Sequence, residues 1–291
     1  PWARLAERGV VVRMWKYDPA AGDVTIEGLK AVLSGKTKIV AFPQVSNILG
    51  AVADVRAITD LCHSYGARVV VDGVAYAPHR PIDLQAYGCD WYVYSTYKVY
   101  GPHMAVLCGT MEAIGELTGP NHYFLAKDYL PGKFELGGVN HEGCAGLVAL
   151  DGYLRLLAGA PERSADEPFD TGVMHKAFGL MSDMELPLQA RLIEDLAKRP
   201  GVRLLGPAAG DERRVPTVAF THERLRSKEI AQAGNAQGLG IRYGNFYAYR
   251  LCEALGLDPA DGVVRVSLVH YNTMEELDRL SGFFDRVLGR G

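Results

Sequence analysis

Ser95-Thr96-Tyr97-Lys98-Val99-Tyr100-Gly101-Pro102 is the stretch from which the fold of this chain follows, once it is set beside Asp72 upstream. Asp72 ends the apolar run Val69-Val70-Val71, and the octapeptide closes a second strand-like run from Asp90 to Ser95. The first run ends in a carboxylate. The second ends in Ser-x-x-Lys before a Gly-Pro turn. Pyridoxal 5′-phosphate (PLP) needs that set of groups. Its aldehyde takes a lysine amine, its ring nitrogen stays protonated beside an anion, and its phosphate is held by hydroxyls and backbone N–H groups.

Working outward, Lys38-Ile39-Val40-Ala41-Phe42 has the length of a short buried strand, followed by the loop from Pro43 to Gly50. Asp54 to Tyr65 has helical spacing: Val55, Ile58, Leu61, Cys62 and Tyr65 share a face, and Gly66 suits the position after the helix end. Arg68 to Asp72, Asp90 to Ser95 and Met104 to Cys108 read as strands. Strand, helix and strand in that order imply a βαβ unit and a mainly parallel sheet. Ligands of such sheets bind beyond the carboxyl ends of the strands, where Asn47, Asp72 and Ser95 to Lys98 fall.

Glu142 to Leu157 is expected to be helical, and Ala160 to Asp170, rich in Pro, Glu and Asp, is the expected boundary. Beyond it come a helix near Leu186 to Arg199, strands at Val202 to Leu205 and Thr217 to Thr221, a helix near Ser227 to Gln237, Ile241-Arg242, and a strand from Val263 to Val269. A last helix opens at Thr273 with Glu276 in the capping-box position. The expected organisation is a large α/β domain over residues 1–158 and a smaller α+β domain over residues 159–291. The large domain is expected to be N-terminally incomplete, since the chain starts at Pro1 and runs into the strand-like Val10-Val11-Val12.

Composition removes several classes. With 48% apolar and 22% charged among 291 residues, the chain can bury a core. A formal net charge of −3 and the lack of a long Lys/Arg block argue against nucleic acid or anionic membrane as partners. No apolar run nears the ~20 residues of a membrane helix. Cys62, Cys89, Cys108, Cys144 and Cys252 form no Cys-x-x-Cys pair. That disfavours a metal site or a disulfide framework and suits a reducing cytoplasm.

Each candidate has a competing structural reading. Lys98 as the Schiff-base lysine competes with a plain surface lysine, and the surrounding run and Asp72 favour the first. Asp72 as partner of the ring nitrogen competes with a cap on the turn Gly73-Val74-Ala75. Ser95 and Tyr97 hold phosphate or pack a strand end, and Asn47 meets the ring hydroxyl or shapes a turn. Arg242 and Arg265 sit in apolar strand settings, so each needs a partner: a substrate carboxylate or an internal acid. His79 suits loop packing, and His103 could line the pocket.

These motifs together resemble the class V aminotransferase group of PLP enzymes, cysteine desulfurases and selenocysteine lyases above all. The resemblance is carried by Asp72-Gly73 through Asp90, Ser95 through Pro102, Val45-Ser46-Asn47-Ile48-Leu49-Gly50, Phe134-Glu135-x-Gly137, Ile241-Arg242-x-Gly244, and Val264-Arg265-Val266-Ser267 followed by Tyr271-Asn272-Thr273. It implies an aspartate aminotransferase-like, fold type I architecture and a homodimer in which Gly137 to Asn140 reach the neighbouring site. It implies that Lys98 carries the cofactor and moves the α-proton, that Asp72 pairs the ring nitrogen, and that Asn47 approaches the ring hydroxyl. Ser95 would contact the phosphate, with Tyr97 replacing a histidine of many relatives. Arg265 would clamp the substrate carboxylate, aided by Arg242.

The departures shape the expected activity. Desulfurases carry a mobile catalytic cysteine after the Arg-x-Gly motif, whereas here Arg242-Tyr243-Gly244-Asn245-Phe246 leads to Tyr247. Cys252 lies further on, in the expected helix Tyr249 to Leu255, where a cysteine is usually inert packing. The family's glutamine near the ring is Ala75, and the phosphate-binding threonine of the partner loop is Gly138. The expected function is PLP chemistry on a small amino acid, desulfurase-like without the usual cysteine. An aminotransferase, an epimerase, or a non-catalytic relative serving as a scaffold stay open.

Overall fold

The computed structural model describes residues 2–164 and 166–290; Pro1, Gly291 and Ala165, the last within the expected boundary segment, lie outside the described residues. The first part builds α1 (Ile26–Lys30), β1 (Ile39–Pro43), α2 (Val55–Ser64), β2 (Arg68–Asp72), α3 (Leu84–Tyr87), β3 (Trp91–Ser95), β4 (Ala105–Gly109), α4 (Met111–Glu116), α5 (His141–Val148) and α6 (Leu150–Ala158). Strands β1, β2 and β3 run parallel, and β4 closes the edge antiparallel to β3. Helix α2 starts where the Asp54 carboxylate accepts the Ala57 N–H, and it ends before Gly66 at φ 72°. Its Val55, Ile58 and Cys62 pack with Val69 and Val71 of β2. Covering β2 this way explains its continuous apolar run.

The second part builds α7 (Thr171–Ala197), β5 (Val202–Leu205), β6 (Thr217–His222), α8 (Ser227–Asn235), β7 (Arg242–Gly244), α9 (Tyr249–Ala254), β8 (Val263–Ser267) and α10 (Met274–Val287). Its sheet has the order β5-β6-β8-β7 and is antiparallel throughout. Leu188 and Leu192 of α7, Ile230 of α8, and Phe283 and Phe284 of α10 share one core with Phe220 and Val264 of the sheet. The capping box at Thr273 and Glu276 forms as expected.

The loop after β1 joins the two parts. Ile48, Leu49 and Ala51 are buried in one cluster with Leu205, Ala219, Cys252 and Val263. Gly50 makes this approach possible: at φ 69°, an added Cβ would stand 2.4 Å from the Thr217 carbonyl oxygen. Val215 N–H donates to Gly50 O at 3.0 Å, and Val52 N–H donates to Arg213 O at 3.0 Å. The loop carrying Asn47 is therefore seated on the second sheet.

Two expectations need correction. Val10 to Val12 form no strand; Val11 is 83% exposed, and no neighbouring strand pairs with the segment. Apolar content without a partner strand does not make a strand. Helix α7 begins at Thr171 rather than near Leu186, capped by the Asp170 carboxylate on Gly172 and Val173 N–H, and it continues through Pro187. Its buried face includes Glu185, paired with His79 at 3.0 Å, so the apolar spacing is broken although the burial is continuous.

Gly73 ties the end of β2 to its support. Its N–H donates to Val93 O at 2.8 Å, and an added Cβ would stand 2.0 Å from the Tyr92 hydroxyl. That hydroxyl donates to Gln44 Oε1, while Gln44 Nε2 donates to the Tyr87 hydroxyl at 3.1 Å. Gly73→Ala should therefore destabilise the chain by roughly 1–3 kcal/mol, the usual range for overpacking. Denaturant melts of the two proteins measure it, and equal midpoints would refute the packing argument.

Candidate active site

The strand register places the candidate residues on one edge. Pro43 pairs with Asp72, and Asp72 pairs with Val93, so Ser95 projects two residues beyond Asp72 on the adjacent strand. A single 3-10 turn, Thr96–Lys98, follows at once. Thr96 anchors that turn from inside: its N–H donates to Met104 O at 3.0 Å and its hydroxyl to Pro102 O at 2.5 Å. Asn47, Asp72, Ser95, Tyr97 and Lys98 all lie at the carboxyl ends of β1, β2 and β3, the usual ligand edge of a parallel sheet.

Lys98 is exposed and forms no salt bridge among the described residues; its amine stands 6.0 Å from the Tyr97 ring. Tyr97 stacks on His103 at 5.0 Å, which brings His103 into the neighbourhood of the lysine. One Asp72 oxygen accepts the Val74 N–H at 2.9 Å, so the turn-capping role is real. Its second oxygen has no protein partner among the described residues. Ser95 is half-buried and makes no capping bond with its side chain.

Arg265 brings the second sheet to this edge. Its Nη1 donates to the Asn47 main-chain oxygen at 3.1 Å, and Asn47 Nδ2 donates to Phe246 O at 2.7 Å. The Arg265 guanidinium lies 3.8 Å from the Phe246 ring centre, and its Nε is buried without a partner. No acid pairs with it among the described residues. Burial lowers its pKa, and Arg242 directly opposite on β7 adds repulsion. The internal-salt-bridge reading of Arg265 is thus set aside. Arg242 itself is exposed, contrary to the apolar setting its neighbours suggested. It lies on edge strand β7, where Ile241 turns into the core and Arg242 turns out.

Sequence reasoning missed a polar cluster beneath the lysine turn. Tyr100 takes φ 60° and donates its hydroxyl proton to Pro78 O at 2.9 Å. Its oxygen then accepts from His270 Nδ1 at 3.3 Å, and Tyr153 O–H donates to His270 Nε2 at 2.5 Å. This assigns a neutral imidazole with the proton on Nδ1. His79, paired to Glu185, lies behind it. Tyr100 stood inside the quoted octapeptide, but its partners come from distant segments that no local pattern links to it.

The set fits PLP on its own chemistry. It offers a free amine at Lys98, an uncommitted carboxylate oxygen at Asp72, and a hydroxyl without a capping bond at Ser95. Arg265, a cation with no acid partner among the described residues, reaches the same edge through Asn47.

Comparison with known proteins gives the family. The aminotransferase class-V family matches residues 1–160 and 173–280. An aminotransferase-like protein, FGM3 of Gibberella zeae, is 38% identical over 99% of this chain and 69% of its own length. A cysteine desulfurase of Synechococcus elongatus is 32% identical over 99% of this chain but 44% of its own length. A cysteine desulfurase structure from Thermococcus onnurineus superposes with a TM-score of 0.83 at 24% identity, covering 99% of this chain and 68% of that one. The chain belongs to the class V aminotransferase family. Its architecture is the fold type I, aspartate aminotransferase-like arrangement seen in cysteine desulfurases.

The imidazole cluster has a pH signature. Burial, with His79 adding, pushes His270 below its ordinary value of 6.5, so the folded state resists the proton that the unfolded chain accepts. Its stabilising contribution is complete above 6.5 and is lost as pH falls from there through the lower folded value. The facing groups are Tyr100, Tyr153, Tyr271 and His79. His270→Gln should flatten the fall in melting temperature below pH 6.5. Parallel pH curves for the two proteins would show that His270 does not titrate this way.

Proposed function

We propose that this chain carries the catalytic site of a PLP-dependent enzyme acting on a small amino acid, in the manner of the cysteine desulfurases and aminotransferases it resembles. The observation that carries the reading is Arg265: a partly buried guanidinium without an acid, opening on the same edge as Lys98 and Asp72. A cation in that state calls for an external anion, and a carboxylate matches its planar donor fork.

Lys98 would hold the cofactor and carry the proton taken from the substrate Cα. The free oxygen of Asp72 would sit against the ring nitrogen. Asn47 Nδ2 is committed to Phe246 O, which leaves its Oδ1 to accept from the ring hydroxyl. Ser95 and Tyr97 would contact the phosphate. Arg265 would fix the substrate carboxylate, with Arg242 adding field from the exposed side. When bound, the cofactor supplies an electron sink that weakens the bonds at Cα.

Cys252 supports a second reading within the same class. It is buried in α9, and burial raises its thiol pKa, so no thiolate faces the site to accept sulfur. Tyr247 is fully exposed at the position where desulfurases carry their cysteine. An aminotransferase or epimerase outcome, with the reaction ending at Cα, accords with this better than persulfide transfer. A homodimer in a reducing compartment also fits the reading. Tyr123, Phe124, Leu136, Val139 and Val148 are each exposed, and all five cysteines are free. No helix among the described residues is long and apolar enough to cross a membrane.

Incubation with PLP, borohydride reduction and peptide mapping test the proposal. Label is expected on Lys98 and nowhere in Lys98→Ala. Absence of label in the parent chain would favour the scaffold alternative. In the labelled-competent protein, Arg265→Gln should weaken L-alanine binding on the order of a hundredfold. Unchanged binding would remove Arg265 from the substrate site.

A further inference from the structure

Phe246 follows β7 on the turn Gly244-Asn245-Phe246-Tyr247. Its backbone takes φ 49° and Tyr247 takes φ 64°, the left-handed region that bulky side chains seldom adopt. Side chains hold the turn in that shape. Asn245 Nδ2 donates to Pro259 O at 2.9 Å, Tyr247 N–H donates to Asn245 Oδ1 at 3.0 Å, and Asn47 Nδ2 donates to Phe246 O at 2.7 Å. Strand β7 ends at Gly244, so the sheet itself does not require the conformation. What the strained turn achieves is placement: the Arg265 guanidinium carbon lies over the Phe246 ring, 3.8 Å from its centre.

An aromatic face attracts a guanidinium through its quadrupole without neutralising it. It also keeps water off one side of the plane. An acid in the same place would quench the charge and compete with any incoming anion. Arg265 Nη1 is already fixed on Asn47 O, and Nε is buried and unpartnered. Nη2 makes no hydrogen bond among the described residues and is the donor left for a ligand.

We propose that Phe246 is the positioning residue of the carboxylate site: its ring locks and shields the Arg265 guanidinium so that Nη2, which has no hydrogen-bond partner among the described residues, meets a substrate α-carboxylate. The proposal rests on the reading of Arg265 given above. It also gives Asn47 a second task, since its amide holds the Phe246 carbonyl.

Propionate, a bare carboxylate, serves as the probe on PLP-loaded protein labelled in arginine, with the Arg265 Nε–H resonance followed by NMR and assigned through Arg265→Gln. Propionate is expected to shift that resonance, and propionamide to leave it in place. Phe246→Leu should weaken propionate about three- to thirtyfold, the span of a partly buried cation–π contact, while Phe246→Tyr stays within about twofold. Phe246→Met, unbranched and non-aromatic, serves as the second variant and should behave as Phe246→Leu. Unchanged propionate affinity in the Leu and Met variants would overturn the role of Phe246 and leave the reading of Arg265 standing. No shift with propionate in the parent protein would sink both.

Discussion

A guanidinium held out of water without an acid is the constraint on which the site depends. Taking a charge from water is costly unless hydrogen bonds and counter-charge offset it. Arg265 receives one carbonyl, from Asn47, and one aromatic face, from Phe246. Arg242, of the same sign, stands opposite it on β7 and adds repulsion. Arg214 makes an instructive contrast. It too lacks an acid partner inside the core, and burial lowers it to about 10. Yet it is fully enclosed and donates to the carbonyls of Pro207 and Thr217 at the junction of the two sheets. Arg214 is a clamp that no ligand can reach. Arg265 is only partly buried and reaches the Asn47 loop on the edge that carries Lys98, and that combination supports the proposal that it binds substrate.

The two arms of the site belong to different sheets, so their spacing is set by the joint between them. The loop after β1 is that joint. Its Ile48 and Leu49 are seated in the second sheet's core, while Gln44 is tied back to the first sheet through Tyr92 and Tyr87. Asn47 lies between these anchors and touches both Phe246 and Arg265. Tyr100 repeats the pattern below: it reaches Pro78 after β2 and His270 after β8. The lysine turn and Arg265 are thereby held to one frame, as the proposed site requires, because catalytic groups lose efficiency when displaced by as little as an ångström.

The elements with strong local signals were legible from sequence. Apolar runs at Val69 to Val71 and Val263 to Val266 gave buried strands, and Asp54 and Thr273 marked helix starts that the structure places within a residue. The parallel order followed from strand, helix and strand. What escaped depends on partners distant in sequence. Helix α7 hid its first half because Glu185 sits at a core position and is satisfied only by His79, more than a hundred residues earlier. Val10 to Val12 looked like a strand because apolar content does not report whether a neighbour exists. The site showed the same division. Lys98 and Asp72 announced themselves through strand-end motifs, whereas Phe246 and His270 gained meaning only from contacts across the fold. Arg242 was misread as buried because its apolar neighbours belong to the inward side of an edge strand.

The turn after β7 bears on which reaction this site can complete. By the resemblance to desulfurases, a persulfide route would need a thiolate delivered from this turn. Here the turn presents Tyr247, fully exposed, whose phenol cannot form a persulfide. Cys252 would have to leave a core it shares with Ile48, Leu49 and Val263. That movement would unwind α9 and open the same cluster that seats the Asn47 loop, so recruiting the thiol would dismantle the arginine cradle it was meant to serve. The backbone at Phe246 and Tyr247 is strained, and its visible product is the ring on Arg265. On the proposed reading, a turn that sets an aromatic ring on Arg265, with no thiol beside it among the described residues, fits chemistry that finishes at the substrate Cα better than chemistry that carries sulfur away.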